Sequence, residues 1–106
     1  MEDRIQKAVE LFKSGYNCSQ SVVAAFADMY GFTQEQALRM GASFGGGIGR
    51  MRETCGAACG MFLVAGLETG ATEATDREGK AANYAVVQEL AAEFKKRNGS
   101  LICGEL

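Results

Sequence analysis

The chain has 106 residues, 47% of them hydrophobic, which suits one domain (1–106) with one core. Its formal net charge is -2 and no cationic run exceeds Lys95-Lys96-Arg97, so it shows no basic face of the kind that nucleic-acid binders carry. Histidine is absent, which excludes a Cys-His pair, a Ser-His-Asp triad and every His-bearing zinc site.

Ile5, Ala8, Val9 and Phe12 follow the i, i+3, i+4, i+7 spacing of an amphipathic helix over 3–13, ended by Ser14-Gly15. Asn17 followed by Gln20 reads as a capping box, opening a second helix from Cys18 to about Tyr30 with Gly31 as its stop. Thr33 and Gln36 repeat the signal for a short third helix through about Met40. Gly41 to Arg50 then holds five glycines and reads as the main irregular segment.

Thr54 is the expected N-cap of a fourth helix, Cys55 to about Glu68, apolar on nearly every side. Such a helix belongs at the centre of a fold. We expect it to be the most buried one, flanked by the first, second and last helices. Thr75 to Glu78 reads as a third capping box, opening the longest helix, to about Arg97. Its expected inner positions are Ala81, Tyr84, Ala85, Val87, Leu90, Ala91 and Phe94. Proline is absent, so nothing interrupts a helix interior. The expected fold is all-α: a compact bundle of four main helices plus one or two short ones around the central apolar helix, about 55–68.

No apolar stretch approaches the ~20 residues of a membrane span, and Met1 to Lys7 has no signal-peptide core. The expectation is a cytoplasmic protein without membrane insertion. Thiols stay reduced there, so the four cysteines are expected to be redox-active, metal-binding or simply buried.

Cys18 and Cys55 each follow a cap residue, at the first position of a helix. Free backbone N–H groups and the helix dipole favour a thiolate at such a place. Both helix starts are expected to point into one cleft. Cysteine is also a small hydrophobe that packs well there. Cys55 and Cys59 share a helix face at about 5–6 Å between Cβ atoms, too far for an easy disulfide but suited to two ligands of one metal. Cys59 equally fits as filler in an alanine-rich stretch. Cys103 sits beside Leu101 and Ile102, which suggests a docked tail that carries it toward Cys55 or Cys18 as a resolving thiol.

The glycine-rich segment lacks the Gly-Lys-Ser/Thr ending of a P-loop. Gly45, Gly46, Gly47 and Arg50 are candidates for contacting a cofactor or a thiol. A sharp connection between packed helices is the plainer use of such glycines. Arg50 and Arg52 stand near Cys55 in sequence, where a cation would favour a thiolate, although Arg52 also suits a solvated surface.

Gly15-Tyr16-Asn17-Cys18-Ser19-Gln20, Phe44 to Gly49, Thr54-Cys55-Gly56-Ala57 with Gly60, and Gly99-Ser100 with Cys103 come in one order across nearly the whole chain. In these blocks the sequence resembles the C_GCAxxG_C_C family. The resemblance implies a redox-active protein with four characteristic cysteines and an association with transport systems. By position, Cys18 matches the first of those cysteines, Cys55 the one in Cys-Gly-Ala-x-x-Gly, and Cys103 the next. The last normally lies in a further extension, whereas this chain ends at Leu106 and Cys59 falls on a variable position. Either Cys59 substitutes for it or three thiols operate.

Three functions follow as expectations. The first is a thiol-redox protein, a thiol–disulfide oxidoreductase or redox accessory protein, with Cys55 as nucleophile and Cys18 or Cys103 as partner thiol. It needs no cofactor and would act on a small thiol or disulfide or on a protein redox partner. The second is a metal site, zinc or iron–sulfur, using Cys18, Cys55, Cys59 and Cys103. The third is a structural or partner-binding helical domain.

Overall fold

Capping residues and apolar stripes produce five α-helices in the computed structural model, which describes residues 2–106. They are α1 (Glu2–Lys13), α2 (Cys18–Phe26), α3 (Gln34–Gly41), α4 (Gly56–Thr69) and α5 (Arg77–Asn98). The described residues contain no strand, so the chain is all-α as expected. None of these helices is long and apolar enough to cross a membrane.

Two of the capping boxes form as read. Asn17 Oδ1 accepts from the Gln20 amide at 2.8 Å, and Gln20 Oε1 accepts from the Asn17 amide at 3.0 Å. Thr33 and Gln36 repeat the exchange at 3.1 and 2.9 Å. Two caps sit one residue later than expected. Asp76, not Thr75, caps α5, with its carboxylate accepting from the Gly79 amide at 2.8 Å. Cys55, not Thr54, occupies the N-cap position of α4. The second helix tightens after Phe26 into a 3-10 turn, Ala27–Tyr30, which Gly31 closes at φ 80°.

The hub is α2 rather than α4. It packs against α1, α3 and α4, whereas α4 packs mainly on α2 and α5. Ser19, Ser21, Val23, Ala24 and Ala25 of α2 are buried, against Gly56, Ala58, Gly60 and Ala65 of α4. The expectation of a central, most buried α4 therefore fails, and α1 does not flank it. The reason is size. The buried positions of α4 are glycine and alanine, while Leu63 is only partly buried against the core. Small residues let helix axes approach closely but bury little side chain. An added Cβ at Gly41 would lie 2.8 Å from the Gln20 backbone, and one at Gly60 3.1 Å from both Ser19 O and Val22 Cβ. These two glycines are where α3 and α4 come in against α2.

The outer helices bury no residue fully. Arg4 fastens α1 to the far end of α2. Its guanidinium donates to Ala25 O at 3.0 Å and to Asp28 at 2.6 Å, and lies 6.0 Å from the Phe26 ring centre. On α5 the partly buried residues include Asn83, Val86, Val87, Leu90, Ala91 and Phe94. Ala81, Tyr84 and Ala85, expected inside, are exposed, because the inner face is rotated about one residue from the alanine stripe.

Candidate functional site

The site is built at the start of α4, where the carboxy-terminal tail docks. Thr54 and Ile102 form an isolated antiparallel bridge. The Cys55 amide donates to Leu101 O and the Cys103 amide donates to Glu53 O, each at 2.6 Å. This pairing keeps Cys55 extended, at φ -53° and ψ 131°, so the helix cannot begin before Gly56. Thr54 is spent on the bridge, and the Cys55 side chain makes no capping bond. The docked tail expected from Leu101 and Ile102 is present, and it holds Cys103 beside the strand-like segment that leads into Cys55.

Cys18, the first residue of α2, reaches the same place. A Cβ added at Gly56 would lie 2.5 Å from Cys18 Sγ and 2.5 Å from Phe44 O. The Cys18 sulfur therefore rests against the backbone of the first residue of α4, one residue from Cys55. The two helix starts meet, as expected. In the first turn of α4, backbone N–H groups have no intrahelical acceptor, which makes it a natural seat for an anion or a polarisable sulfur.

Cys59 lies one turn further along α4, its Sγ 4.0 Å from Thr54 O. Its thiol is pushed above the ordinary cysteine range, first by burial and then by charge on Cys55 and Cys18. Cys59 therefore lies within electrostatic reach of both Cys55 and Cys18. Cys103 has different neighbours. Its Cβ would lie 2.6 Å from a Cβ at Gly47, and the Arg52 guanidinium donates toward its sulfur at 3.7 Å. All four cysteines are unpaired and partly exposed. Among the described residues no three Cys, Asp or Glu side chains are placed to hold one metal ion.

The glycine-rich segment wraps this cluster through its backbone. Gly46, Gly47, Ile48, Gly49 and Arg50 all have positive φ, between 57° and 77°, and Arg52 follows at 62°. Five consecutive left-handed residues make a reversed turn, which costs roughly 1–2 kcal/mol for each residue bearing a Cβ. Long-span bonds hold it, including Arg52 N–H to Gly46 O at 3.2 Å and Glu53 N–H to Gly47 O at 3.0 Å. Gly45 packs on the Asn17 side chain, whose Nδ2 donates to Ala42 O at 3.1 Å. Of the candidate cofactor-contacting residues, Gly45 and Gly47 touch Asn17 and the Cys103 region. Arg50 is exposed and folds back over Gly46.

Over residues 16–106 the chain matches the family model described as "Putative redox-active protein (C_GCAxxG_C_C)". The chain belongs to this family. No curated protein and no solved structure matches it. The match spans Cys18, Cys55, Cys59 and Cys103 together with the glycine-rich turn. Gly56 and Gly60 are two points at which α4 closely approaches α2. The close approach at Gly56, the anchoring of the loop by Asn17 and the Arg52–Cys103 contact go beyond what the motifs implied. Glycine at the first position of a helix, directly after a cysteine, was the available signal for a close approach.

Proposed function

We propose that the chain is a thiol–disulfide redox protein whose working pair is Cys18 and Cys55. The observation that carries this reading is the seat of the Cys18 sulfur on Gly56, the first residue of α4, beside Cys55. It favours Cys18 as the attacking thiolate and Cys55 as the resolving thiol, reversing the order expected from sequence. The Cys18 thiolate attacks one sulfur of a disulfide substrate, whose S–S bond breaks and releases a thiolate. Cys55 then attacks Cys18 Sγ in the mixed disulfide, and the second substrate thiol leaves. The protein dithiol loses two electrons and two protons, and the substrate gains them. Cys59, held protonated by burial and by its neighbours, is a poor first nucleophile. Cys103, tied near Cys55 by the tail and contacted by Arg52, is a second resolving thiol in reserve.

The test is oxidation of the reduced protein with a small neutral disulfide, followed by non-reducing peptide mapping. The expected product is one intramolecular Cys18–Cys55 bond, and Cys55→Ser should trap the mixed disulfide on Cys18. Failure of every thiol to exchange would sink the proposal. Protein isolated with stoichiometric zinc or iron, whose thiols react only after chelation, would replace it with the metal-thiolate reading.

A further inference from the structure

Cys18 also lies on the wall of a groove of about 350 Å3 between α1 and the starts of α2 and α4. Val9, Phe12, Val22 and Ala57 supply apolar walls, and Lys13, the one residue with a charged side chain along it, lines it through its carbon chain. Ser21 Oγ donates to Asn17 O at 2.8 Å and presents no polar surface to the groove. Lys13 makes no ion pair with another described residue. Val9 and Phe12 remain 45% and 59% exposed, so apolar surface stands open next to a nucleophile. The volume is at the small end of ligand pockets, which run from about 300 to 1,000 Å3.

We propose that this groove selects the substrate of the thiol pair: a small apolar disulfide ending in a carboxylate, such as a 1,2-dithiolane on an alkanoic acid chain. This rests on the thiol-redox reading and names its substrate class. The alkyl chain lies along Val9, Phe12 and Val22, the ring disulfide faces Cys18, and the carboxylate meets the Lys13 ammonium outside the apolar wall. The Cys18 thiolate bonds to one ring sulfur as the ring S–S bond breaks, leaving the other sulfur as a thiol. Cys55 then bonds to Cys18, expelling the dihydro dithiol. The ring disulfide is reduced by two electrons and the Cys18–Cys55 dithiol is oxidised by two. A polar, multiply charged disulfide finds no partner for its amides and extra charges on these walls.

Single-turnover oxidation of the reduced full chain by lipoate, lipoamide, glutathione disulfide and 2-hydroxyethyl disulfide tests this. Lipoate should react about tenfold or more faster than glutathione disulfide, after correction for their intrinsic reactivities toward a free thiol. Val9→Asp should lower the ratio of lipoate to 2-hydroxyethyl disulfide rates about tenfold, and Val9→Ile should keep it. Lys13→Gln should slow lipoate about two- to fivefold and leave neutral lipoamide little changed. Lys13→Gln sits at an exposed helix end, so it decides the matter even if Val9→Asp unfolds. No preference for lipoate, with 2-hydroxyethyl disulfide still forming the Cys18–Cys55 bond, overturns the groove assignment alone. No exchange with any disulfide overturns the redox reading with it. A second copy of the chain covering Val9 and Phe12, seen as a dimer that Val9→Asp dissociates, also overturns the groove assignment.

Discussion

Adding one methyl group at Gly56 tests whether the Cys18 sulfur is held where the structure puts it. In an open helix, Gly→Ala gains about 0.5–1 kcal/mol from backbone entropy. Gly66, exposed on the same helix with nothing within 4 Å of an added Cβ, is that case. At Gly56 the new carbon meets Cys18 Sγ and Phe44 O, both at 2.5 Å, and Gly45 Cα at 3.3 Å. A cysteine sulfur can rotate away, but a backbone carbonyl cannot. The start of α4 or the reversed turn must shift, and overpacking of this kind costs about 1–3 kcal/mol. The clash outweighs the helix preference. Gly56→Ala should therefore destabilise by about 1–2 kcal/mol, while Gly66→Ala stabilises by about 0.5–1 kcal/mol. Urea unfolding with an unchanged slope reads both effects. Site-resolved alkylation should show an altered rate at Cys18 in the first variant and a wild-type rate in the second. If Gly56→Ala is as stable as Gly66→Ala, and Cys18 reacts at its original rate, the placement of that sulfur is wrong.

Three further outcomes are expected. Cys59 should alkylate along a pH profile displaced above that of an ordinary thiol. Replacing Cys18 and Cys55 together by serine should bring it only part of the way back, since burial is the larger cause. By linkage, the folded state keeps this proton longer than the unfolded chain, so the contribution of Cys59 to stability declines as pH rises past the ordinary cysteine range. Ser19→Ala should raise the unfolding free energy by about 1 kcal/mol or more in urea titration, because Ser19 Oγ is fully buried without a protein hydrogen-bond partner; equal or lower stability would show that the hydroxyl is satisfied. Arg4→Met should speed amide hydrogen exchange in α1 specifically. The same loosening should appear in the wild type as pH falls, because the Arg4 guanidinium holds the Asp28 carboxyl below its usual range and the pairing is present above that range and lost as Asp28 protonates.

Local signals were legible where local geometry decides the outcome. Asn17 and Thr33 cap their helices as read because each needs only its own N3 residue. Thr54 failed as a cap because a residue nearly fifty positions away in sequence claimed its segment, and the bridge to Ile102 delays helix α4 by one residue. The all-round apolar pattern of α4 suggested a hub. It arises instead because one face is made of glycine and alanine for close packing on α2, while Val64 and Met61 border an open apolar cavity toward α5. The glycine count between Gly41 and Arg50 announced irregular backbone. The left-handed turn itself was not legible, since Ile48, Arg50 and Arg52 are residues that seldom take positive φ.

That strain also bears on function. Three side-chain-bearing residues in left-handed conformation would, at roughly 1–2 kcal/mol each, use a large share of the ~5–15 kcal/mol that stabilises a typical domain. Such a turn persists only where its surroundings over-determine it. Here those surroundings are the thiol site: Asn17 against Gly45, Cys103 against Gly47, and Phe44 O against Gly56. A turn that merely joined α3 to α4 could relax toward ordinary dihedrals. One that must bring backbone against Asn17, Cys103 and Gly56 at once cannot. In a chain with no histidine, the groups left to favour a thiolate are backbone amides, lysine and arginine. The segment that carries the reversed turn supplies one of these by delivering the Arg52 guanidinium to Cys103, while its Phe44 and Gly45 backbone packs on the first residue of α4, where Cys18 rests.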